Sequence, residues 1–162
     1  MSDKTLYVLA GYDEPTEAHL TAIQNKLYES GFTGTQTRIF PHITVGSFPV
    51  DKEAELVSLL QTLANTAAPF EVTFNHVGIF GSARVLFIAP DTNKALLDLK
   101  EHFGSAYNWT PHTTMLIDDP DVICKALPHV MENFSAFSGN VTTLHLYEFF
   151  PSRHILSVDL NG

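Results

Sequence analysis

Cysteine is nearly absent from this 162-residue chain, where Cys124 stands alone. No intramolecular disulfide can form, and no cysteine-based metal centre can be assembled. The place of Cys124 within an apolar helical pattern reads as a small buried hydrophobe rather than a nucleophile. Basic residues are also scarce, with nine Lys and Arg against 18 Asp and Glu, for a formal net charge of −9. Proteins that grip long nucleic acid displace counterions with basic patches. Scattered cations in an acidic chain therefore disfavour a long duplex or a structured RNA as partner, and leave open a small nucleotide or an RNA end held mainly at one phosphate. No apolar run approaches the roughly 20 residues needed to span a bilayer. The start, Met1-Ser2-Asp3-Lys4, lacks the basic-then-apolar layout of a signal peptide. These absences together point to a reducing, cytoplasmic setting with no membrane partner.

What is present is an ordinary globular composition, 44% hydrophobic and 17% charged, at a length that suits one domain. The pattern alternates strands and helices. A strand is predicted over 6–10 and a helix over 14–29, with Pro15 in its first turn and Gly31 just past its end. A strand follows over 39–48, with Pro41 near its start. Asp51 is the expected cap of a helix running to Leu63, with apolar residues at Leu56, Leu59, Leu60 and Leu63. The next strand covers 70–80. Strands over 84–89, 110–117, 140–150 and 154–160 follow, with helices from Asp91 or Thr92 to Gly104 and from Pro120 to Phe134. Pro128 should break or kink the second of these.

The two halves of the chain, residues 1–81 and 82–162, lie over one another. Pro41, His42 and Thr44 match Pro111, His112 and Thr114 at an offset of 70 residues, and Val72, Thr73, His76, Phe80 and Arg84 match Val141, Thr142, His145, Phe149 and Arg153 at 69. The element types agree as well. This is the pattern of a duplicated β-α-β-α-β unit. The expected fold is α+β, a single domain of two lobes related by a pseudo-two-fold axis, with the site in the groove between them.

Residues two apart on a strand project to one face, roughly 7 Å apart. His42 and Thr44 therefore project together, as do His112 and Thr114, while Ile43 and Val45 turn to the core. A pseudo-two-fold axis would set the pairs facing each other. Histidine titrates near neutral pH, so one imidazole can be neutral while the other is protonated. The neutral ring can take a proton from water or a ribose hydroxyl, and the protonated ring can give one to a leaving oxygen. The threonine hydroxyls can donate to non-bridging phosphate oxygens. The scheme requires neither metal nor cofactor, and neither motif holds an acidic residue.

Two such motifs, spaced by about half of a small duplicated α+β chain, resemble those of the 2H phosphoesterase superfamily, also called LigT-like or 2′-5′ RNA ligase-like proteins. His42-Ile43-Thr44-Val45 fits the pattern His, hydrophobic, Thr or Ser, hydrophobic; His112-Thr113-Thr114-Met115 departs from it at Thr113. The resemblance implies His42 and His112 as acid and base, with Thr44 and Thr114 on the phosphate. It also implies a bilobal α+β fold, with two pseudo-symmetric lobes whose antiparallel sheets line a central cleft, and activity on 2′,3′-cyclic phosphates, other cyclic nucleotide phosphodiesters or 2′-5′ linkages, without a metal. The pseudo-symmetry makes either histidine equally natural as the base. A nucleotide- or RNA-end-binding module with little turnover, and 2′-5′ RNA ligation, are the alternative readings.

Other residues carry weaker signals. Arg153 could bind phosphate through its guanidinium, or be a charge at a strand end, as could Arg84. Phe40 and Trp109 precede the motifs and could stack on a base at the cleft mouth, although aromatics beside strands more often belong to cores; Tyr7 and Tyr147 stand at the same level. His76 and His145 match each other in the repeat but read as facing solvent or a sheet neighbour. His19, His102 and His129 lie in helical patterns and read as surface residues.

Overall fold

A computed structural model describes residues 4–35 and 39–162. Met1 to Asp3, on which the signal-peptide reading partly rests, lie outside the described residues. The chain forms β1 (Thr5–Tyr12), α1 (Glu14–Glu29), β2 (His42–Pro49), α2 (Glu53–Thr66), β3 (Phe70–Phe80), β4 (Val85–Pro90), α3 (Lys94–Glu101), β5 (Thr113–Ile117), α4 (Pro120–Asn133), β6 (Phe137–Phe149) and β7 (Arg153–Asp159). The α+β class predicted from the pattern is the class observed.

Local chemistry accounts for most boundaries. Asp13 caps α1, its carboxylate accepting from the Thr16 backbone N–H at 3.1 Å, and Gly31 leaves the helix with φ +94°. Two predicted caps are corrected. Asp51 does not cap α2; residues Val50–Lys52 form a 3-10 turn, and α2 begins after it without a side-chain cap. For α3 the cap is Asn93, whose side chain accepts from the Leu96 N–H at 2.9 Å, so the helix starts two to three residues later than predicted. Pro128 does not break α4, which continues to Asn133. Pro128 and Cys124 are both exposed, so the carbonyl four residues before the proline stays within reach of water. The same exposure corrects the reading of Cys124 as buried. Both motif strands start later than predicted, past Pro41 and Pro111, so His42 opens β2 and His112 immediately precedes β5.

All strand pairs are antiparallel and form one sheet in the order β2-β1-β6-β3-β4-β5, with β7 added to β6. The order reads the same from either end when β1, β2 and β3 are exchanged for β4, β5 and β6. Each half of the chain thus places its third strand in the sheet of the other half, so residues 1–81 and 82–162 do not coincide with the two lobes in space. At the junction of β3 and β6, Phe70 pairs with Val141, Glu71 with Asn140 and Val72 with Gly139. The 69-residue offset carries the first of these pairs onto the third and maps the middle pair onto itself. The pseudo-axis passes through Glu71 and Asn140.

Helices cover the sheet face that carries Leu6, Val8, Ala10, Ile43, Val45, Leu144 and Leu146, all fully buried. Side chains alternate across the pleat, so the neighbours of these residues form the opposite face. The buried face also holds a polar tie between lobes. The Tyr12 hydroxyl, at the end of β1, lies 2.6 Å from Thr113 Oγ1 at the start of β5, with both side chains buried. Burial raises the Tyr12 pKa far above that of a free phenol, so the group is a neutral hydroxyl at all ordinary pH values. This explains the threonine where the family pattern has a hydrophobe: Thr113 supplies the partner that a buried phenol requires.

A variant cycle measures this tie. Thr113→Val leaves the phenol unpaired and should lower the urea unfolding free energy by about 1–3 kcal/mol. The double variant Tyr12→Phe/Thr113→Val should regain most of that loss; a double variant as unstable as the sum of the singles would show that the two hydroxyls do not act as a pair.

Candidate functional site

The motif residues occupy equivalent positions in the two lobes. His42, Thr44, His112 and Thr114 are half-buried, while Ile43, Val45, Thr113 and Met115 between them are buried. Thr44 pairs with Leu9 on β1 and Thr114 with Phe87 on β4, each beside a shift in strand register, at Val8/Leu9 and Leu86/Phe87. Such bulges re-aim neighbouring side chains. The Cα atoms of β2 and β5 approach within 8 Å, which brings the two pairs into one region.

Each imidazole is held in the same way. His42 Nδ1 lies 2.8 Å from the carbonyl oxygen of Phe40, and His112 Nδ1 lies 2.9 Å from that of Thr110. A backbone carbonyl only accepts, so Nδ1 must carry the hydrogen in both rings. Nε2 is therefore the atom left to take or give a proton. Burial pushes the pKa of both histidines below the ordinary 6.5, and the charge of a protonated His112 pushes His42 the same way. The bonds to the carbonyls oppose the shift. The two rings thus sense each other, and double protonation is disfavoured.

A cavity of about 360 Å³ opens beside them. His42, Thr44 and Thr114 line it, so both motifs contribute, while His112 stands outside its lining, edge-on to Phe80 with ring centroids 4.7 Å apart. Tyr7, Phe40, Phe149 and Phe150 add aromatic surface to the cavity, and Gln24 adds an amide. Gln24 Nε2 donates to the Thr114 carbonyl at 3.0 Å and so braces the second motif from α1. Sequence reasoning missed Gln24. Its signal was a polar residue within the buried stripe of Leu20, Ile23 and Leu27.

Two further sequence-predicted residues, besides His112, fall outside the cavity lining. Arg153 donates to Glu148 Oε2 from Nε at 3.0 Å and to Glu53 from Nη2. These bonds raise its pKa and lower that of Glu148; the guanidinium is committed to carboxylates rather than to a phosphate. Trp109 packs against the core, with Lys100 Nζ 5.7 Å from its ring centroid. Arg84 pairs with Asp119 at 2.6 Å and exposed His76 with Asp91 at 3.7 Å, both away from the cavity. His145, by contrast, lies close to the site: its ring centroid is 4.6 Å from that of Phe40, and the charge of a protonated His42 acts on it. Among the described residues no group of three or more His, Cys, Asp or Glu side chains is placed to hold a metal ion, and no helix is long and apolar enough to cross a membrane.

The model of the 2′-5′ RNA ligase superfamily matches residues 12–149, most of the chain and both motifs. The chain belongs to the 2′-5′ RNA ligase superfamily. No curated protein sequence matches it. Its fold resembles that of Escherichia coli LigT complexed with ATP (TM-score 0.64, 18% identity) and with 3′-AMP (TM-score 0.65, 16% identity), each alignment covering 98% of both chains. The protein TT0787 of Thermus thermophilus is similar, with a TM-score of 0.64, 17% identity and the same coverage. At these identities the likeness shows a shared fold, extending over 98% of both chains.

Arg153→Ala should leave KM for any cleft substrate within twofold while lowering the thermal unfolding midpoint, since it removes two ion-pair bonds outside the cavity. A large rise in KM with an unchanged midpoint would return Arg153 to the binding surface.

Proposed function

We propose that the chain is a metal-independent phosphodiesterase that hydrolyses 2′,3′-cyclic or other cyclic nucleotide phosphodiesters, or 2′-5′ linkages. The observation that carries this reading is the matched pair of Nδ1-locked imidazoles, each two residues before a threonine, at the starts of two strands whose Cα atoms approach within 8 Å. In the reaction, the Nε2 of the neutral imidazole takes a proton from water as its oxygen bonds to phosphorus. The phosphorus–ribose oxygen bond breaks, and Nε2–H of the other, protonated imidazole gives its proton to the leaving oxygen. Thr44 and Thr114 hydroxyls donate to the non-bridging oxygens, whose charge grows in the transition state. The two halves of the chain are read as copies of one unit, which is why either histidine can serve as base.

The ligand class follows from size and charge. The cavity volume lies at the lower end of the usual range for small-molecule sites, about 300–1,000 Å³. The aromatic rings of Phe40 and Tyr7 suit a nucleoside, and the net charge of −9 opposes a long polyanion. That LigT was crystallised with ATP, with 3′-AMP and with NADP+ supports a small nucleotide here.

Purified protein should hydrolyse a 2′,3′-cyclic nucleotide or a 2′-5′-linked dinucleotide equally well with and without EDTA. His42→Ala and His112→Ala should each reduce kcat by about 10²–10⁴-fold. Loss of activity on chelation would defeat the metal-free mechanism, and full activity in both variants would defeat the assignment of the site.

A further inference from the structure

A second cluster of imidazoles stands on the cleft face of the first lobe and has no part in the acid–base scheme. His145, on β6, places Nδ1 2.6 Å from Ser157 Oγ, and His154 Nε2 reaches the same oxygen at 2.7 Å. Among the described residues no protein group bonds His145 Nε2. That atom leans over Gly11: a Cβ built on the glycine would lie 2.6 Å from it. Gly11 pairs with His42 on one side and Thr143 on the other. The missing side chain at Gly11 thus leaves His145 Nε2 over the strand that separates it from His42. Phe40, whose carbonyl holds His42, covers the same imidazole with its ring.

We propose that His145, oriented by Ser157 and His154, is a hydrogen-bonding subsite for a sugar hydroxyl of the ligand whose phosphate lies at His42. The inference takes the place of the phosphate from the proposed function and adds what binds beside it. The serine lies between two imidazole nitrogens and carries one hydroxyl hydrogen. If it donates to His145, Nε2 of that ring must carry the hydrogen and donate into the cleft. If it donates to His154, Nδ1 of His145 donates to Ser157 and Nε2 accepts. The two hydroxyl orientations go with opposite tautomers of His145, so Nε2 is a donor in one and an acceptor in the other, and the pair of arrangements suits a partner that is both.

Charge separates a sugar hydroxyl from a second phosphate. The groups facing His145 are His154, His42 and Asp159. Burial, then the charges of His154 and His42, hold the imidazole down to about 4 against a smaller opposing pull from Asp159. At neutral pH the ring is uncharged with a carboxylate in its surroundings, conditions that disfavour a phosphate and suit a neutral hydroxyl.

The test is binding to the full chain, followed through the histidine imidazole resonances by NMR, with adenosine and with inorganic phosphate as separate probes. Adenosine should shift the His145 signals. His145→Ala should weaken adenosine about fivefold, the effect of one hydrogen bond, and leave phosphate affinity within twofold. His145→Gln, which keeps a polar group near Nε2, should recover most of the loss, and Gly11→Ala, which fills the space the ring needs, should reproduce it. Phosphate shifting His145 and weakening in His145→Ala, with adenosine unaffected, would make this a second phosphate site and overturn the proposal. Adenosine that leaves the His145 signals unmoved, or fails to bind, would overturn it as well. Wild-type turnover of a 2′,3′-cyclic nucleotide is read separately: its absence counts against the phosphodiesterase, whereas the adenosine response counts for or against the hydroxyl subsite.

Discussion

The antiparallel pairing of β3 with β6 about Glu71 and Asn140 is the constraint on which the rest of the molecule depends. It fuses a four-stranded and a three-stranded sheet into one and makes each half of the chain lend a strand to the other. Because the 69-residue offset maps the junction onto itself, whatever β2 presents on one side is matched by β5 on the other. Two motifs that are 70 residues apart in sequence thereby come to the same region of space. The Tyr12–Thr113 hydrogen bond adds a local tie between the lobes, one residue from Gly11, which pairs with His42, and one residue from His112.

Within that frame, the chemistry is decided by backbone rather than by side chains. The carbonyls of Phe40 and Thr110 fix which nitrogen of each ring carries a hydrogen, burial depresses both pKa values, and the charge of His112 further opposes charging of His42. The matching backbone bonds are what make the proposed acid and base roles interchangeable. The asymmetry lies around them. His112 sits against Phe80 and Phe87, beside a small apolar cluster, whereas His42 looks toward the cavity, Phe40 and the His145–Ser157–His154 chain. The proposed ligand therefore has a polar side and an apolar side to meet.

Much of this was legible in the sequence because it rests on local periodicity. Period-two alternation alone sets His42 and Thr44, and His112 and Thr114, on one face and their neighbours on the buried one, and Glu14–Glu29 carries its own start and stop signals. What was not legible depended on partners distant in the chain. Strand patterns do not name the strand they pair with, so the exchange of third strands between halves was hidden. Arg153 read as a phosphate ligand because nothing local reveals Glu53, 100 residues away, as its partner. His145 read as peripheral because only the register of β6 against β1 carries it to Gly11 and His42. The first residue of α3 was missed for a smaller reason: Asp91, Thr92 and Asn93 all suit a cap, and only the backbone shows which one does so.

The proposed reaction needs two imidazoles that differ in protonation. The dependence of kcat/KM on pH for a 2′,3′-cyclic nucleotide reports the titration of these groups in the free enzyme. Both are depressed below 6.5, so the singly protonated pair is already being depleted as pH rises toward neutrality, and again at low pH, when both rings are charged. The predicted result is a bell with its maximum below pH 6.5, lost in His42→Ala and in His112→Ala. A rate flat from acid to alkaline pH, or one still rising above pH 8, would contradict it.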